Sequence, residues 1–139
     1  MSESGELWEV VIGEPGCRLI FVGPAFAEFV GVRVEGAFMT AHDDIILDPS
    51  LADFFAQLGA LWRGWQGELV WSAPHTRNMT MTARHDGIGH VSIAVALRDW
   101  KQTPDGPLRE PCDWSASLVV AVEPSQLAVI ASDLRQLAS

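Results

Sequence analysis

Tyrosine is absent from the 139 residues, and basic side chains are scarce: Lys and Arg number 9 against 18 Asp and Glu. The resulting formal charge of −9 argues against nucleic acid or an anionic membrane surface as a partner, because both are polyanions. It favours encounter with a basic protein instead. No apolar run approaches the roughly 18 residues needed to span a bilayer. The opening Met1-Ser2-Glu3-Ser4-Gly5-Glu6 lacks the basic start and apolar stretch of a signal peptide. The expected location is therefore the cytoplasm. Thiols there stay reduced, so a disulfide between Cys17 and Cys112 is not expected. Both cysteines flank strand-like runs and are predicted to be small buried core residues.

Catalytic signatures are also lacking. There is no G-x-S-x-G elbow and no phosphate-binding glycine loop. Asp43 and Asp44 are adjacent, so in a regular strand they point to opposite faces, which weakens a two-carboxylate reading. No internal repeat or low-complexity stretch occurs. Cofactors are not indicated.

What is present is the make-up of a globular domain. Apolar residues are 48% and charged residues 19% of the chain, enough to fill a core and too few charges for general disorder. Residues 1–5 are predicted to be a flexible tail and 6–139 a single domain. Strands are predicted at Leu7–Gly13, Cys17–Val22, Phe26–Glu35, Phe38–Leu47, Glu68–Ser72, Asn78–His85, Gly89–Arg98 and Cys112–Val122. The alternation is clear in Val30/Val32/Val34 and in Val91/Ile93/Val95/Leu97. Gly23-Pro24 is expected to interrupt the pattern. His42-Asp43-Asp44 suggests a bulge or a tight turn, since Asp disfavours a regular strand.

Two helices stand out by period. Leu51, Phe54, Phe55, Leu58, Leu61 and Trp62 fall on one face after Asp48-Pro49-Ser50, with Gly64 as a stop. Ser50 and Asp53 resemble a capping box. Leu127, Ile130, Ala131, Leu134, Leu137 and Ala138 trace a second stripe after Glu123-Pro124-Ser125. Strands followed by helices, outside a βαβ alternation, indicate an α+β fold. An antiparallel sheet of about seven or eight strands would pack with two amphipathic helices.

The candidate functional residues gather in three places. His85 and His90 flank one turn with Asp86 between them, a set that could bind a divalent metal or a small ligand, with His75 or His42 added. The spacing is not a known ligand signature, and a structural role at the glycine turn is the plainer reading. Arg63 and Trp65 sit near the end of the first helix, where Trp62 is expected to continue the core stripe. Trp100 lies in a Pro-rich loop from Asp99 to Pro111 and is predicted to be an exposed interface anchor.

The segments Leu51–Phe55 (LADFF), Trp62–Glu68 (WRGWQGE), His85–Val91 (HDGIGHV) and Gln126-Leu127 in the closing helix carry a resemblance. From Leu51 to Leu137 the chain resembles a domain-of-unknown-function family of small proteins from high-GC Gram-positive bacteria. The family implies no activity. In layout alone the chain is also similar to small immunity proteins that neutralise secreted toxins. The leading expectation is a non-enzymatic binding or regulatory module acting on a basic protein. A ligand- or metal-binding domain using His85, Asp86 and His90 is the alternative. A subunit that forms a homo-oligomer through a small-residue sheet face is a third.

Overall fold

The computed structural model describes residues 8–26, 29–74, 76–98 and 114–137. Val10 and Ile12 of Trp8–Glu14 (β1) and Leu19 and Phe21 of Cys17–Phe26 (β2) are buried, and Pro15-Gly16 joins the strands in a two-residue turn. Gly16 has φ +92°, a conformation that glycine adopts without strain. Phe29–Glu35 (β3) and Thr40–Ile46 (β4) complete an antiparallel meander in the order β1-β2-β3-β4. Val10, Ile12, Leu19, Phe21, Val30, Val32, Val34 and Ile45 are all buried on one face.

Two local expectations give way here. Gly23-Pro24 does not end β2, which continues to Phe26, and the irregularity is a register shift between Val22 and Phe26. His42-Asp43-Asp44 forms neither bulge nor turn. It pairs in unbroken register with Arg33, Val32 and Gly31. The reason is that β4 ends the sheet, and edge strands tolerate charged side chains that would disrupt a central strand.

Asp48 starts the first helix, Pro49–Ala60 (α1), by accepting the Ser50 N–H at 2.8 Å. The expected capping box is not formed: the Ser50 hydroxyl accepts from Trp71 Nε1 at 2.9 Å, and Asp53 pairs with Arg135 at 3.2 Å. Leu51, Phe54, Phe55 and Leu58 are buried as their spacing implies. Leu61 and Trp62 are not. The chain leaves the helix at Leu61 (φ −99°, ψ 31°), so helical periodicity no longer governs where Trp62 points, and Trp62 is 54% exposed.

The second half repeats the plan of the first. Leu69–Ser72 (β5), Met79–His85 (β6), Val91–Arg98 (β7) and Ser115–Val122 (β8) form a second antiparallel meander, followed by Pro124–Leu137 (α2). The fold is α+β with eight strands, divided four and four between two sheets. Met79, Met81, Ala83, Val91, Ile93, Val95, Leu97 and Val120 bury one face of this sheet. Its other face carries small residues at its centre, with Ala94, Ala96, Ser117 and Val119 exposed, and Arg84 and Arg98 towards its ends. Cys17, expected in the core, is exposed, and its thiol donates to the Val119 carbonyl at 3.0 Å. Cys112 and the Asp99–Pro111 loop lie outside the described residues, as does the 1–5 tail. No helix among the described residues is long and apolar enough to cross a membrane.

The helices run antiparallel. Gly59 of α1 approaches Leu127 and Ala128 of α2 closely enough that a Cβ there would sit 3.5 Å from both, while Asp53 meets Arg135 at the other end. One hydrophobic core draws from both sheets and both helices. Asn78, buried at the start of β6, donates its side-chain amide to the Asp44 carbonyl on β4 and joins the two sheets. Phe55→Ala should therefore cost about 3–5 kcal/mol of global stability. Urea unfolding followed by tryptophan emission and by far-UV circular dichroism should give one coincident transition.

Candidate functional site

Beyond α1 the chain turns across the end of the second sheet. Gly64 has φ +127° and donates its N–H to the Leu61 carbonyl at 2.8 Å. A Cβ on Gly64 would lie 3.1 Å from His85 Nδ1, so this contact admits only glycine without displacement. Trp65, half-buried, donates Nε1 to the Ala83 carbonyl at 3.3 Å and meets the His85 ring edge-on, 5.3 Å between centroids.

His85 is held from both sides. Its Nδ1 accepts the Gly87 N–H at 2.9 Å, and its Nε2 lies 3.2 Å from the Trp62 carbonyl. An acceptor role at Nδ1 and a carbonyl at Nε2 together require the Nε2–H tautomer. The imidazole is thus a strut between the 61–67 segment and the 85–90 turn.

Asp86 organises that turn. Its Oδ1 accepts from Ile88 N at 2.8 Å and His90 N at 3.0 Å, and Oδ2 lies 2.7 Å from His90 Nδ1. Asp86 N donates to the His90 carbonyl at 3.1 Å, and Gly87 and Gly89 take positive φ to complete the loop. Partial desolvation pushes the Asp86 carboxyl up. The Ile88 and His90 N–H groups, then the His90 ring, outweigh it and hold the carboxyl at about 2.

These bonds bring four predicted residues together: Trp65, His85, Asp86 and His90. They do not make them converge on one point. Both His85 ring nitrogens are engaged within the protein, and among the described residues no group of three or more His, Cys, Asp or Glu side chains is placed to hold a metal. His90 lies in the turn before β7, with its side chain 70% exposed at the rim of a depression of about 220 Å³ shared with Glu14, Glu123 and Gln126. Arg63 covers the Trp62 ring, its guanidinium 5.0 Å from the centroid. Trp100 and His75 lie outside the described residues.

Two exposed apolar features are not marked by the sequence pattern. Ile88 is 78% exposed on the tip of the 85–90 turn. An isoleucine between two glycines of positive φ carried that signal. Phe38 is fully exposed at the β3–β4 turn, where Gly36 N donates to the Met39 carbonyl. The sequence pattern places Phe38 at the start of the fourth strand, which instead begins at Thr40.

The matched segments extend through most of the chain. It belongs to a family of unknown function, DUF6228, whose model matches residues 25–139. That stretch contains the 61–67 and 85–90 segments and leaves β1 outside the match. No curated protein matches the chain, and no solved structure does.

The carboxylate of Asp86 yields a pH prediction. Its folded value lies below the ordinary 3.8, so its contribution to stability is present above about pH 4 and is lost as pH falls towards 2. Asp86→Asn should be less stable than the parent at pH 7, and the gap should close between pH 4 and 2. Urea midpoints across that range measure it.

Proposed function

We propose that this protein is a non-enzymatic binding module that engages a basic protein in the cytoplasm. One observation carries the reading: two exposed apolar side chains, Trp62 and Ile88, stand on the two segments that His85 ties together. Exposed large apolar residues on a fixed support suit an interface, because little conformational freedom is lost when a partner covers them. Trp and Arg are the side chains most enriched among binding hot spots, and Trp62 already carries Arg63 on its ring. The charge of −9 supplies long-range attraction to a cationic partner and repels polyanions. An immunity-type role, in which the partner is a basic toxin held inactive, is the specific form of this reading.

A tagged chain incubated with native lysate of the producing organism, washed at low and then high salt, tests it by mass spectrometry. The expected result is one stoichiometric basic protein, released by salt. Trp62→Ala combined with Ile88→Asp should weaken its retention at least about tenfold, as for loss of hot-spot residues. Equal retention by the double variant, or a partner indifferent to salt, would overturn the proposal.

A further inference from the structure

A sheet edge is a row of unpaired N–H and C=O groups, and folded proteins normally cover it or keep it short. This fold has four edges, and three are attended to. β5 is only four residues long. The β4 edge receives the Asn78 amide at the Asp44 carbonyl, and the β8 edge receives the Cys17 thiol at the Val119 carbonyl. β1 is seven residues long, and among the described residues it pairs with β2 alone. In an antiparallel ladder every second residue turns its N–H and C=O away from its partner, so β1 presents such groups along its outer side.

That side is not a bare edge. A groove of about 280 Å³ runs between β1 and α2, lined by Val11 and Gly13 on the strand and by Gln126, Val129 and Asp133 on the helix. Val11 is 41% exposed and Val129 58% exposed, so the groove has apolar surface that nothing among the described residues fills. Glu9 and Asp133 line it, and no Lys or Arg does. Glu9 is shared with Arg33 at 3.4 Å, which leaves Asp133 as the charge most available to an incoming group. Exposed Glu14 and Glu123 extend the negative rim at the Gly13 end.

We infer that the β1–α2 groove takes an extended, basic segment of another protein as an added strand on β1. Backbone pairing to β1 supplies affinity without regard to sequence. Alternate side chains of the segment reach the apolar wall at Val129 or the acids, which favours alternating apolar and Lys or Arg residues. The occupant is basic because the lining holds Glu9 and Asp133 and no Lys or Arg, and only Glu9 has a cation, Arg33, beside it. This site shares no residue with the Trp62–Ile88 surface, and each can fail without the other.

The probe is the peptide acetyl-Lys-Val-Lys-Val-Lys-Val-amide, titrated into the ¹⁵N-labelled full chain. Two control peptides accompany it. One replaces each Lys by Glu; the other keeps the Lys residues but carries N-methyl groups on alternate amides, so it cannot pair. Shift changes concentrated in Glu9–Gly13 and Ser125–Asp133 are expected from the Lys-Val peptide alone. Asp133→Lys should weaken the effect at least about tenfold, and Trp62→Ala should leave it unchanged. The inference is overturned by equal binding of the N-methylated or Glu peptide, or by changes centred elsewhere. It is equally overturned by a chain that pairs with a second copy through β1 and excludes the peptide.

Discussion

Everything in this molecule follows from the need to bury two sheet faces at once. Each half makes a four-stranded meander with one apolar face and supplies a single helix, and α2 of the second half lies against β1 and β2 of the first sheet. One helix is too narrow for four strands, and a lone half would leave Val, Ile and Phe side chains in water. Packing α1 against α2, with Gly59 allowing close approach, joins the two partial cores into one. The interlocking polar bonds are few and sit at the seams: Asn78 to Asp44, Trp71 to Ser50, Asp53 to Arg135.

Joining the halves this way decides what faces solvent. The exit of α1 must pass across the end of the second sheet, and Gly64 lets it lie flat against His85. His85 then ties the Trp62 carbonyl to the Gly87 amide, and Asp86 closes the remaining turn. The polar residues with the most chemical potential are thereby used in holding two turns together. Beside exposed Arg63 and His90, the turns project two large apolar side chains outward, Trp62 and Ile88. A histidine and an aspartate in a glycine turn look like a site in one dimension. In three dimensions most of their bonding capacity is turned inward, and the side chains they support are the ones free to meet a partner.

The strand and helix content was legible because it rests on local periods. Val91/Ile93/Val95/Leu97 can be half-buried only as a strand, and Leu127/Ile130/Leu134/Leu137 only as a helix. The division into two sheets was not legible, since no local pattern states that β4 declines to pair with β5. The end of α1 was misplaced for a related reason: Leu61 and Trp62 keep the helical spacing, but the contact between Gly64 and His85, 21 positions apart, bends the chain away. Asp43 and Asp44 broke the propensity rule for strands because an edge position relaxes it. At the candidate site, the grouping of His85, Asp86 and His90 could be read from the turn. The strut role of His85 could not, because its second partner, the Trp62 carbonyl, comes from a distant segment.

Under the proposed function, the 61–67 and 85–90 segments form one supported surface for a protein partner. Hydrogen–deuterium exchange of the chain in complex with its isolated partner, compared with the free chain, examines this directly. New protection is expected in both segments together, with the second sheet's outer face unchanged. Protection confined to that outer face, or a bound component that proves to be a small molecule rather than a protein, would contradict it.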